Sequence, residues 1–339
     1  MPFSATRIPR LALILIGLAI ASAIGGCTAF SGMQVTDTTA AAQQNSNSTN
    51  SWLYPLETIT GGWMGNDFVG NAKRRLQRPV VVAVRDHDIY IVDAGQELLY
   101  LYDDFTKRMS VIKDLRGAVT GEVSDLYVAS DRSYYVADAD GHQVLHFDRN
   151  GHLLQTYKDA LNLARPVAVS VDEANGFIYI ADGLFDHVLI FDRAGDLWRM
   201  IGDRGEEDGK FLNITAMTRG PDGVYVTARL GKRGQVLDQD TGDFRYAFDK
   251  DTLVFPKGIA VDKLSDRAYV SDFFDNSIKI FEHGHFLAKV GGTGAGPGRF
   301  KGIADVAVEN GFLYVADSLN GRVQVFKITN GPSSANKSK

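Results

Sequence analysis

The residues able to do chemistry in this 339-residue chain are few and scattered. The single cysteine, Cys27, excludes a disulfide within the chain. The seven histidines are His87, His142, His146, His152, His187, His283 and His285. Zinc catalysis needs about three protein ligands and an open fourth position, whereas these histidines stand mostly in turns at different strand connections. His283 and His285 flank Gly284 in one such turn, where a solvated role is expected. No glycine-rich phosphate loop opens a helix, because no helix is evident. Nor does any local signature mark a Ser/His/Asp nucleophile. A formal net charge of -5 argues against a general polyanion-binding surface.

The elements that must position such residues are repetitive. A four-residue strand ending recurs as Tyr90-Ile91-Val92-Asp93, Tyr135-Val136-Ala137-Asp138, Tyr179-Ile180-Ala181-Asp182, Tyr225-Val226-Thr227-Ala228, Tyr269-Val270-Ser271-Asp272 and Tyr314-Val315-Ala316-Asp317. Successive final positions lie 45, 44, 46, 44 and 45 residues apart. Nine residues beyond each stands a second marker: Tyr102, Phe147, Phe191, Leu237, Phe281 and Phe326. Each period reads as four short strands rich in β-branched and aromatic residues, separated by Gly, Asp and Asn turns. In the third copy these strands are Val167–Val171, Phe177–Ala181, His187–Phe191 and Leu197–Ile201. Six four-stranded antiparallel units repeated around a channel make an all-β, six-bladed propeller. The Tyr and aromatic markers are expected to pack between adjacent sheets, and the repeating Asp to cap the loop that follows it.

The sixth copy ends soon after its third strand, so its outer strand must come from elsewhere. Leu56–Gly62 precedes the first copy and resembles the outer strand Phe286–Gly292. It is expected to pair with Arg322–Phe326 and close the ring, removing exposed sheet edges.

With the period in place, the chain resembles the NHL-repeat propellers over about 270 residues. The resemblance is carried by Gly258–Asp262, Tyr269–Asp272 and Asn276–Phe281. In the sixth copy it is carried by Gly294, Gly296, Gly298, Phe300 and the run Asp317–Phe326. That family spans protein-binding domains, RNA-binding domains, sensor ectodomains and a metal-dependent lyase, so the fold does not give the function. The resemblance implies, for a lyase, zinc held by histidines from several blades around the channel. Aligned positions at the start of the innermost strands read Val81, Asp125, Ala168, Ile214, Gly258 and Asp305, with no histidine among them. Asp125 and Asp305 are weak metal candidates. Oxygen ligands suit calcium or magnesium, but two carboxylates are too few, and a hydrogen bond to a neighbouring blade is the expected role. No cofactor is predicted.

At the amino end, Arg7 and Arg10 precede an apolar run from Leu11 to Ala21 and the small-residue stretch Ile24-Gly25-Gly26-Cys27. The run is too short to cross a bilayer, which takes about 20 residues, and reads as a secretory signal. Residues 24–27 resemble the lipobox of bacterial lipoproteins, which implies a signal peptide over 1–26 and lipidation, including palmitate, at Cys27. In similar lipoproteins Asp after the cysteine marks inner-membrane retention, so Thr28 favours the outer membrane. Several acyl chains together give stable anchoring. Residues 27–55, poor in large apolar side chains, read as a disordered tether, residues 56–329 as the propeller, and 330–339 as a disordered tail.

The candidate binding face gathers residues in which the copies differ. An entry loop and the adjoining sixth blade supply Lys73, Arg74, Arg75, Arg78, Arg299, Lys301 and Arg322, and the fourth blade adds Arg229, Lys232 and Arg233. Trp63, Met64, Phe68, Leu184, Phe185, Phe273 and Phe274 are the apolar loop residues, and Leu184-Phe185 and Phe273-Phe274 fall in equivalent loops. Loop aromatics of this kind point to a protein partner. The expectation is a lipid-anchored cell-envelope module that binds envelope proteins, touches membrane only through its anchor and binds no nucleic acid. The alternative is a metal-dependent lyase or hydrolase at the channel mouth.

Overall fold

Strands of β-branched and aromatic residues, broken every few positions by Gly, Asp or Asn, pair best with their sequence neighbours. The computed structural model, which describes residues 51–64, 72–231 and 233–331, arranges them as six antiparallel blades of four strands. The third blade runs Pro166–Asp172, Phe177–Asp182, His187–Phe191 and Leu197–Ile201 from channel to rim. The six innermost strands are Pro79–Arg85, Val123–Val128, Pro166–Asp172, Ile214–Gly220, Pro256–Asp262 and Ile303–Glu309. Each packs beside the next, and the sixth packs beside the first.

Every innermost strand carries a register shift within its first three residues. The position after the shift is Val81, Asp125, Ala168, Ala216, Gly258 or Asp305. In the fourth blade this position falls to Ala216 rather than the expected Ile214, because the shift lies between these two residues.

The outer strand of the sixth blade is Leu53–Ile59, antiparallel to Arg322–Ile328 with Leu53 opposite Ile328 and Ile59 opposite Val323. It begins ahead of the boundary expected at Leu56. Leu53 is 2% exposed and joins a core cluster with Phe300, Ile303 and Phe326, so the end of the stretch read as tether supplies an apolar anchor. The chain then breaks at Gly61, whose φ is +144° and where a Cβ would stand 1.9 Å from the Arg74 carbonyl oxygen. Only glycine fits there. Gly61–Met64 and Ala72–Arg75 form an added pair of strands on the outer edge of the first blade, where a loop was expected.

Six apolar clusters fill the seams between adjacent blades. The markers lie inside them: Tyr269, Phe191, Phe281 and Phe326 are at most 1% exposed. The repeating Asp does more than cap its own loop. Asp182 accepts the N–H groups of Leu184 and Phe185 in that loop at 2.8 and 2.7 Å. It also accepts those of Ala164 and Arg165, both at 2.6 Å, in the segment that leads into the blade. Asp93 and Asp272 hold Gln77-Arg78 and Val254-Phe255 in the same way. Five blades carry such a buried carboxylate, and the fourth has Ala228 in its place; at Asp93, Asp182 and Asp272 it fixes two loops at the same mouth of the channel.

Candidate functional site

The two mouths differ in how their cations are balanced. At the mouth formed by the turns between first and second strands, Arg85 of the first blade pairs with Glu173 of the third at 2.8 Å. Tyr127 of the second blade donates to the same carboxylate at 2.7 Å, and Arg219 pairs with Asp172 at 2.9 Å. The other mouth is made by the segments entering each blade and by the loops between second and third strands. Its cavity, about 480 Å³, is lined by Arg165, Arg229, Phe255 and Lys257 on one side and by Glu122, Asp140 and Asp305 on the other.

Large apolar side chains crowd that second mouth. Leu184 (52% exposed) and Phe185 in the third blade, Leu230 (65%) in the fourth, Phe273 and Phe274 (71%) in the fifth, and Leu319 (58%) in the sixth all occupy the loop between second and third strands. The first and second blades carry Ala94-Gly95-Gln96-Glu97 and Ala139-Asp140-Gly141-His142 there. The apolar arc therefore spans four consecutive blades and stops.

The expected face is only partly assembled at this mouth. Phe185, Arg229, Phe273 and Phe274 share it, and Arg78 and Lys301 enter their blades there, Arg78 in an ion pair with Glu122 at 2.5 Å. Arg299 is exposed in the segment leading to the sixth blade and donates to the Gly291 carbonyl at 2.9 Å. Trp63, Arg74 and Arg75 stand apart, on the added strands at the outer edge of the first blade, where Arg74 donates to the Tyr100 hydroxyl at 3.2 Å. Arg322 is corrected outright: it is 9% exposed and its Nε donates to buried Asp317 at 2.6 Å, so it holds the sixth blade together rather than facing a partner. Cys27, Phe68 and Lys232 lie outside the described residues, and Arg233 opens the strand Arg233–Leu237.

Arg165, Phe255, Lys257, Leu230 and Leu319 escaped the sequence reading. A signal for three of them was present. Arg165 and Phe255 immediately precede the prolines that open inner strands, and Lys257 follows one, as Arg78 precedes Pro79.

Asp125 and Asp305 face the channel from the second and sixth blades. Asp125 accepts the N–H groups of Leu126 and Val169, both at 2.8 Å, and Asp305 accepts that of Val82 at 3.0 Å. Each thus ties its blade to the next, the role expected of them. Surrounding protein raises both carboxyls above the ordinary range, and at Asp305 the Asp125 charge adds to the effect. The histidines do not fit a zinc site around the channel. His146 stacks on Tyr135 at 3.9 Å, His187 and His142 contact the carbonyls of Asn162 and Ala164, and His152 and His283 pair with Asp148 and Asp222, both at 3.0 Å. His285 lies 3.6 Å from Asp249. None of the seven lines the channel cavities.

Residues 300–326 match the family described as NHL repeat. The chain carries an NHL repeat. That match falls on the sixth blade, from Phe300 through the inner strand Ile303–Glu309 to Phe326, and the five other blades repeat its architecture. Among solved structures, the chain is similar to a structural genomics protein of unknown function from Bacteroides thetaiotaomicron VPI-5482. Identity is 15% with a TM-score of 0.61, covering 80% of this chain and 75% of that one. It is also similar to virginiamycin B lyase from Staphylococcus aureus, with 12% identity, a TM-score of 0.54 and coverage of 75% and 96%. At these identities the likeness is one of fold. A search of curated proteins returns no match.

Proposed function

We propose that this NHL-type propeller is a protein-interaction module of the cell envelope, anchored through lipid on Cys27, and that it captures its partner at the mouth ringed by Leu184, Phe185, Leu230, Phe273, Phe274 and Leu319. The observation that carries the reading is the recurrence of exposed large apolar side chains in the same loop of four consecutive blades. Scattered exposed apolar residues are ordinary on a soluble surface, but a contiguous arc with a polar rim is the form of a protein-binding patch. Aromatic anchors of this kind dominate interface energetics. The loops beneath them are rigid, since buried aspartates such as Asp182 and Asp272 fix their backbones, so little ordering entropy is lost on binding. The signal-like residues 1–26 and the polar stretch after Cys27 support an exported, tethered placement.

The test is crosslinked capture from the native envelope with the full lipidated chain. Replacing Phe185, Phe273 and Phe274 by Ser should abolish a stoichiometric partner that the parent chain captures. Replacing Phe105 and Leu264, which are more exposed but lie on the opposite face of the propeller, should not. Equal capture by both sets would refute the face.

A further inference from the structure

We infer that the centre of this mouth is an oxyanion site, formed by Arg165, Arg229 and Lys257 around Phe255, that takes a carboxylate presented by the partner. Three consecutive blades supply it: Arg165 enters the third, Arg229 lies in the loop of the fourth, and Lys257 follows the proline that opens the fifth. The Arg229 guanidinium sits 4.2 Å from the centre of the Phe255 ring and the Lys257 ammonium 5.7 Å from it. Stacking on the ring leaves the edge donors of the guanidinium free to grip two oxygens at once. All three cations line one cavity.

These cations lack what Arg85 and Arg219 at the opposite mouth possess. Arg85 and Arg219 are each neutralised by a carboxylate within 2.9 Å, whereas among the described residues no ion pair reaches Arg165, Arg229 or Lys257. Of the carboxylates in the cavity wall, Glu122 is held by Arg78. Burial and the Arg165 charge, with Arg229, lower the Lys257 pKa, and Glu122 and Asp305 oppose them without prevailing. Lys257 is wet yet enclosed, as a group in a channel mouth is. Like charges held together without a direct ion pair are costly, and an incoming anion removes that cost. The apolar arc around it suits a carboxylate flanked by apolar residues. That the carboxylate belongs to the protein partner rests on the function proposed above; the anion chemistry does not.

The experiment follows Lys257 by NMR in the full chain in detergent after reductive ¹³C-methylation, with the signal assigned by its loss in Lys257→Arg. Citrate and a glutamate-rich peptide are the probes. Either probe should raise the Lys257 pKa saturably, and the effect should weaken with salt. Arg165→Ala or Arg229→Ala should weaken binding about tenfold or more while leaving the melting temperature near that of the parent. A Lys257 signal that neither probe moves overturns the site. If citrate binds but does not compete with the captured partner, the partner's carboxylate is overturned as the occupant and a free small anion takes its place.

Discussion

The Oδ2 atom of Asp305 accepts the backbone N–H of Val82 at 3.0 Å, across the junction where the last blade meets the first. Asp125 makes the matching bond to Val169 at 2.8 Å from the second blade to the third. Each carboxylate replaces water at an inward-facing backbone group, but both line the same channel and burial disfavours their charge. A carboxyl with a folded-state pKa above its unfolded value of about 4 binds more protons when folded. Stability is then fullest at low pH and falls as pH rises from about 4 through the raised folded value.

Asp305→Asn keeps an acceptor for Val82 and removes the charge. It should raise the unfolding free energy by about 1 kcal/mol or more near pH 8, with the gain shrinking toward pH 5. Denaturant melts at the two pH values check this. A gain equal at both would show that the charge carries no cost.

Arg322 is expected to behave as a structural residue. Its guanidinium donates to Asp317 at 2.6 Å and to the carbonyls of Gly296 and Arg299 at 3.0 and 2.9 Å. Asp317 is fully buried. Arg322→Ala leaves that carboxylate buried without its counter-charge, held only by neutral donors from Lys301, Asn320 and Gln324, a loss of about 3–5 kcal/mol. Thermal unfolding should report it directly, and partner capture below the lowered melting temperature should be unchanged.

Most of the fold was legible because a propeller writes its period into the chain. The Tyr marker recurs at every blade, and the Asp and the aromatic nine residues later at every blade but the fourth, which has Ala228 and Leu237, so nearly every copy repeats the constraint. What escaped was local. Leu53 stands where the polar stretch after Cys27 gives way to Trp52-Leu53-Tyr54, so the start of its strand was read as tether, and Gly61 breaks that strand for a backbone approach no pattern announces. The site was legible where residue type decides it, as at Phe273 and Phe274, and illegible where position does. Arg322 reads as one more surface cation until Asp317 is placed beside it, and Arg165 and Lys257 read as unrelated until the ring brings three blades to one mouth.

Leu53 tests the closure. It is 2% exposed and packs among Phe326 and Ile303 at the start of the strand that completes the sixth blade. Leu53→Ala should cost about 2–5 kcal/mol. Removing residues 51–59 should leave the edge of Arg322–Ile328 open, and an open edge of this kind pairs with other chains. Light scattering during a thermal ramp should show aggregation at lower temperature for the truncated chain than for Leu53→Ala. Equal behaviour would mean that the strand contributes packing but protects no edge.

Gly258 of the fifth blade lies close against the sixth. A Cβ there would stand 2.4 Å from Oδ1 of Asp305, 2.9 Å from its Cα and 3.0 Å from the backbone nitrogen of Val306. The first contact is with a side chain that can rotate away; the other two are with a strand fixed on both sides. Gly258→Ala should therefore destabilise the ring by about 1–3 kcal/mol, the usual cost of overpacking. Asp305→Ala in the same chain removes only the first clash, so it should recover a minor part of the loss. Chemical denaturation of the two single variants and the double variant measures the coupling. Full recovery in the double variant would locate the whole clash in the carboxylate and show that the backbone seam between these blades gives way.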